Sequence, residues 1–112
     1  MDTDAAVPAL AALAQPHRLA VFRRLVELGP DGAFAGDLAA HLAIPANTLS
    51  FHLKTLQHAG LIRPEPMGRH IRYRADFEAM RGLVGFLTEN CCGGDDTLCL
   101  PADAPAKAAG CC

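Results

Sequence analysis

Five of the 112 residues are cysteine, and Cys91, Cys92, Cys99, Cys111 and Cys112 all fall within the last 22 positions. None stands in the stretch that must supply the hydrophobic core, so packing does not account for them. Adjacent cysteines close on one another only through a strained small ring. An odd count with two adjacent pairs does not make a simple disulfide framework, and disulfides are rare in a reducing cytosol. The chemistry left is that of the thiolate as a ligand for soft, thiophilic ions. Gly93 and Gly94 follow the first pair, and glycine's freedom in φ lets the chain fold back and deliver Cys99 to it. A structural zinc ion would want a fourth ligand, which Cys111 or Cys112 could supply. The plain alternative is a disordered end with incidental cysteines. Residues 91–112 are expected to form a flexible tail after a domain spanning 1–90.

A second chemical set lies in the middle of the chain. Over about Ala46–Ala59, Leu49, Leu53 and Leu56 recur on one helical face, while Asn47, Phe51, Lys54 and His58 point the opposite way, flanked by Ser50 and Thr55. That outward set suits a DNA surface. Asn pairs with an adenine edge, Ser and Thr serve bases or phosphates, an apolar ring meets a thymine methyl, and Lys meets phosphate. Asn47, Thr48, Ser50 and Phe51 are the expected base readers, since such a helix meets the groove by its N-terminal end. His52, beside the buried stripe, is expected to be structural and hydrogen-bonded within the domain. The bland alternative is a solvated polar face.

The elements that must position this set follow from local pattern. Residues 5–14, with Val7, Leu10 and Leu13 at helical spacing, predict a first helix. Pro16 opens a second, mostly buried helix that ends at Gly29-Pro30. A short helix over about Ala35–Leu42, with Leu38, Ala39 and Leu42 inward, is followed by the Ala46–Ala59 helix, and the pair matches a helix-turn-helix. After Gly60 the chain reads as a β-hairpin with its turn in Pro64–Gly68 and a basic strand, His70–Arg74, that alternates charged and apolar side chains. Helical spacing resumes through Phe77, Met80, Val84 and Leu87. The expected fold is mainly α, about five helices with a small β-hairpin wing: a winged helix-turn-helix.

Composition agrees. Five Phe, one Tyr and no Trp leave the core to Leu, Ala and Val. No apolar run reaches the roughly 20 residues of a membrane span, and the Met-Asp-Thr-Asp start lacks a signal peptide's basic opening, so a soluble, cytoplasmic protein is expected. The net charge of −2 hides a pattern: −2 over residues 1–46, +4 over 47–74 and −4 over 75–112. A basic unit containing Arg69, Arg72 and Arg74 on the wing thus sits between acidic ends. A small thiol enzyme or metal carrier finds no support in a Cys-x-x-Cys motif or a catalytic His/Asp set, and no organic cofactor is implied.

The pattern Ser-x-His-Leu-x-x-Leu-x-x-Ala-Gly-Leu at 50–61, with Pro16-His17-Arg18-Leu19 before it and Gly68 to Tyr73 after it, resembles the ArsR (ArsR/SmtB) family of winged-helix repressors. The likeness covers about residues 6–90. It implies a homodimer joined by the first and last helices, double-stranded operator DNA as partner, and release of that DNA when a metal or metalloid binds. The residues expected to bind DNA, from the outward helix face and the basic wing, are Asn47, Thr48, Ser50, Phe51, Lys54, Thr55, Arg69, Arg72 and Arg74.

The inducer site varies within the family. The arsenic motif before the recognition helix has no cysteine in the matching stretch Phe34–Leu38, and the zinc pattern of the last helix is incomplete, with Asp76 but no His after His70. Cys91 and Cys92, anchored at the end of the last helix, with Cys99, resemble the arsenic repressors whose thiolates lie at the C-terminal end. Three thiolates suit As(III), with Sb(III) as a second candidate inducer. The expected function is an arsenic-responsive repressor. Cd(II), Zn(II) or thiol oxidation are the alternative signals, and Cys111 and Cys112 are candidate auxiliary thiols.

Overall fold

The computed structural model describes residues 1–90 and Gly93. Five helices and three short strands follow in the order α1 (Thr3–Leu13), α2 (Pro16–Leu28), β1 (Ala33–Phe34), α3 (Ala35–Leu42), α4 (Ala46–His58), β2 (Ile62–Met67), β3 (His70–Ala75) and α5 (Phe77–Thr88). The helix boundaries have local causes. The Asp2 carboxylate accepts from the Ala5 amide at 2.9 Å and starts α1 two residues before the apolar pattern does. Gln15 caps α2 through the Arg18 amide at 2.8 Å, and Pro16 takes the first position, where its missing N–H costs nothing. The Arg18 guanidinium reaches back to the Ala12 carbonyl at 2.6 Å and ties the end of α1 to α2.

Of the residues whose spacing predicts α1, Leu13 packs partly against the core, but Val7 and Leu10 do not. Ala6, Ala9 and Ala12 pack into the core, while Val7 is 57% and Leu10 40% exposed. Methyl-sized side chains let the helix axis approach the domain closely, and the larger residues are left facing out. Nor is α2 mostly buried: Val21, Phe22 and Leu25 are, whereas Leu19 is exposed. The centre of the domain is Val21, Phe22 and Leu25 with Leu38, Ile44, Leu49, Leu53, Leu56, Leu61, Ile62, Ala75 and Leu83. On α5 the buried residue is Leu83, with Phe77, Met80 and Phe86 packed partly against the core and Val84 and Leu87 exposed.

The segment α3–turn–α4 has the anticipated bounds to within a residue. Its turn passes through Ala43, which takes a left-handed conformation at φ 55°. Gly60, at φ 78°, ends α4, and the Leu61 amide returns to the Leu56 carbonyl at 3.1 Å.

The wing differs from expectation in two ways. It is a three-stranded antiparallel sheet of order β1-β3-β2, because Ala33 and Phe34 pair with Tyr73 and Arg72. Gly32 makes that approach possible: at φ 60°, any Cβ it carried would collide with the Tyr73 carbonyl. The hairpin turn lies at Gly68-Arg69, not in Pro64–Gly68, since Met67 pairs with His70 and the two prolines are inside β2. An edge strand tolerates them, and being two residues apart they direct their missing donors the same way, away from β3. No helix among the described residues is long and apolar enough to cross a membrane.

Candidate DNA-binding face

Burying Leu49, His52, Leu53 and Leu56 turns the other side of α4 outward. Asn47, Ser50, Phe51, Lys54, Gln57 and His58 are exposed, with Thr48 and Thr55 half-buried at the flanks. Pro45 provides no side-chain cap, which leaves the Ala46 and Asn47 amides of the first turn to meet an anion such as a phosphate. Two of the side chains expected to meet DNA are already engaged within the helix. The Asn47 side-chain oxygen accepts from the Thr48 amide at 2.9 Å, so its NH2 donors remain for a partner. The Thr55 hydroxyl donates to the Phe51 carbonyl at 3.2 Å. Gln57, which sequence reasoning did not single out, shares the exposed face; its spacing of three from Lys54 was the available signal.

His52 is buried as expected, but not through the expected hydrogen bond: its Nδ1 has no partner. The ring packs edge-to-face on His17 at 5.5 Å and on Phe51 at 6.1 Å. Burial pushes its pKa below the ordinary 6.5, and the neighbouring Arg18 and His17 add to the effect, so the ring is held neutral.

The wing cations do not form one cluster. Arg69 lies exposed in the hairpin turn. Arg72 stands opposite Glu65 and donates to its carboxylate at 3.0 Å, a hydrogen bond that, with the guanidinium charge, holds the Glu65 carboxyl below its usual range. Arg74 faces Arg63 at the base of the hairpin, about 17 Å along the strand from Arg69 at a rise near 3.3 Å per residue. Arg63 in turn donates to Asp76 at 2.8 Å. Asp76 also accepts from the Ala79 amide and so caps α5. Burial pushes the Asp76 carboxyl up, but the Ala79 amide and the Arg63 guanidinium outweigh it and hold it below 3.8. Two of the basic side chains are thus paired, and among the described residues Lys54, Arg69 and Arg74 form no ion pair.

Cys91, Cys92, Cys99, Cys111 and Cys112, with the ligand roles expected of the first three, lie outside the described residues, as does the expected flexible tail apart from Gly93. The helix expected to anchor Cys91 and Cys92 ends at Thr88, with Glu89 and Asn90 intervening. Among the described residues no group of three or more His, Cys, Asp or Glu is placed to hold a metal ion.

A helix-turn-helix carried between a leading helix pair and a β wing, with an exposed polar face on its second helix, defines a winged helix-turn-helix DNA-binding protein. Comparison with known proteins narrows the class. A family model described as a helix-turn-helix domain matches residues 13–65. The HTH-type transcriptional regulator CmtR of Mycobacterium tuberculosis is 40% identical over 73 residues, which cover 64% of this chain and 59% of that protein's length. An ArsR-like transcriptional regulator from Rhodococcus sp. RHA1 is 31% identical, with a TM-score of 0.65 over 75% of this chain and 76% of that one. The structure of a possible transcriptional regulator for arsenical resistance is 35% identical, with a TM-score of 0.57 over 70% of this chain and 79% of that one. The chain belongs to the ArsR family of winged-helix transcriptional regulators.

Proposed function

We propose that the chain is an operator-binding repressor that works as a homodimer through α1 and α5 and releases DNA when As(III) binds Cys91, Cys92 and Cys99. The observation that carries the DNA-binding part is the outward face of α4, where Asn47, Ser50, Phe51 and Lys54 are all exposed; Arg69 is likewise exposed in the wing turn. Dimerisation is supported by the apolar residues left uncovered on the two terminal helices, Val7 and Leu10 on α1 and Val84 and Leu87 on α5. A patch of that kind marks an interaction surface.

The donor set supports the choice of inducer. All five cysteines follow residue 90 and neither His nor further metal ligands cluster in the described body, so three thiolates are the soft site available. One solved relative is itself described as a possible regulator for arsenical resistance. When bound, As(III) supplies a crosslink among three thiolates. Drawing Cys99 toward Cys91 and Cys92 constrains the chain just beyond α5, and α5 belongs to the proposed dimer interface. Half-sites one helical turn apart require recognition helices about 34–36 Å apart, so a small change of dimer geometry prevents both from docking. A 100-fold loss of affinity corresponds to about 2.7 kcal/mol, within the ordinary range of allosteric coupling.

A gel-shift series on the DNA upstream of the coding sequence, with As(III), Sb(III), Cd(II), Zn(II) and peroxide, tests this reading. Release by As(III) but not peroxide is expected. Release by peroxide that dithiothreitol reverses would replace the metalloid with a redox signal, and release by Cd(II) or Zn(II) alone would replace it with a divalent ion. Cys99→Ser should leave operator binding intact and abolish release. If it releases at the same arsenite concentration as the unchanged protein, Cys99 is not a ligand.

A further inference from the structure

Phe51 is 67% exposed, the most exposed large hydrophobic side chain among the described residues. It lies on α4, not on α1 or α5; its helical neighbours on the outer face are Asn47 and Lys54, with Thr55 at the flank. A phenyl ring held in water on an otherwise polar helix face calls for a partner that covers it. The major groove offers one apolar feature, the 5-methyl group of thymine. The ring is also oriented. His52 meets it edge-to-face at 6.1 Å with the planes 74° apart, and His17 meets His52 at 5.5 Å and 76°. Such geometry is favourable for aromatic pairs. His52 is 8% exposed, and its Nδ1 gains no hydrogen bond in return for burial. A buried nitrogen without a partner costs stability, so hydrogen bonding does not explain the residue there; the ring contacts do.

We propose that Phe51 reads a thymine methyl group in each operator half-site and that His52, backed by His17, is the positioning residue that sets the Phe51 ring. This deepens the reading of α4 as the recognition helix and rests on it. Thr55 reinforces the apolar character of the contact, because its hydroxyl is turned back to the Phe51 carbonyl.

The test uses the full-length protein and a duplex that it selects from a random-sequence pool. Each thymine is replaced in turn by deoxyuridine, which deletes the methyl group and keeps every base-edge hydrogen-bonding group. One thymine per half-site should show about a fourfold loss of affinity, the worth of one buried methyl. Phe51→Ala should bind more weakly overall and be indifferent to that same replacement. His52→Asn, which removes the ring, should lower the uracil sensitivity at that position, and His52→Phe, which restores a ring, should recover it. Far-ultraviolet circular dichroism confirms that each variant is folded. A flat uracil scan with the unchanged protein, on a duplex it does bind, overturns the thymine contact while leaving the operator-binding reading in place. Full methyl sensitivity in folded His52→Asn overturns the positioning role. Failure to select any duplex overturns the operator-binding reading itself, and this one with it.

Discussion

His52 is a buried base kept neutral by burial and by Arg18 and His17, its neighbours on α2. Its folded-state pKa lies below the ordinary 6.5 of the unfolded chain, so in acid the unfolded state binds the extra proton more readily. Stability is therefore unaffected by this group well above pH 6.5 and falls as the pH drops below it, by at most about 1.4 kcal/mol per pH unit. Urea unfolding between pH 7.5 and 5 should show that decline, and His52→Leu should reduce the slope. Gly32 is a second position where one residue decides local structure. Its positive φ and the adjoining Tyr73 carbonyl leave no room for a Cβ. Gly32→Ala should cost about 2–3 kcal/mol, combining backbone strain with overpacking, visible as a lowered thermal midpoint.

At the scale of elements, the wing shows how register converts a run of arginines into distinct roles. Alternation puts Arg63, Glu65, Arg72 and Arg74 on one face of the hairpin, but pairing places Arg72 against Glu65 and Arg74 at the base. Only Arg69 occupies the turn, where a wing can reach a neighbouring phosphate. Arg69→Ala should weaken operator binding and reduce the slope of log affinity against log salt by about 0.9 for each phosphate that is no longer neutralised. Arg74→Ala should leave that slope unchanged. Equal effects of the two substitutions would mean that the hairpin base, not its tip, meets DNA. The Arg63–Asp76 bond joins the wing base to the first turn of α5, so the sheet and the last helix are held together by a carboxylate that also caps the helix.

For the whole molecule, the central question is what covers the apolar residues that the protomer leaves outside. Val7, Leu10, Val84 and Leu87 are exposed on α1 and α5, and the proposed dimer buries them. Val7→Glu with Leu87→Glu should leave the protomer folded, since both side chains face out of the core, yet place charge in the interface. Sedimentation should then report a monomer. Operator affinity should fall by at least about 100-fold, or 2.7 kcal/mol, because one half-site is lost. A double variant that remains dimeric would move the interface to another surface.

Much of this protein is written in local pattern. The helix-turn-helix, the outward face of α4 and the confinement of the cysteines to the end of the chain follow from spacing, proline and glycine, which act within a few residues and need no tertiary context. The tertiary structure decided what depends on segments far apart. It chose the alanine face of α1 over Val7 and Leu10, because close approach to the core favours small side chains. It added β1 to the sheet through the space at Gly32, drew the hairpin turn to Gly68-Arg69 with both prolines in an edge strand, and paired Arg72 with Glu65 and Arg63 with Asp76. Charge counted along the chain sets how many cations the reading unit carries. Which of them remain free to meet DNA is set by cross-strand neighbours, and these exist only once the strands have found their register.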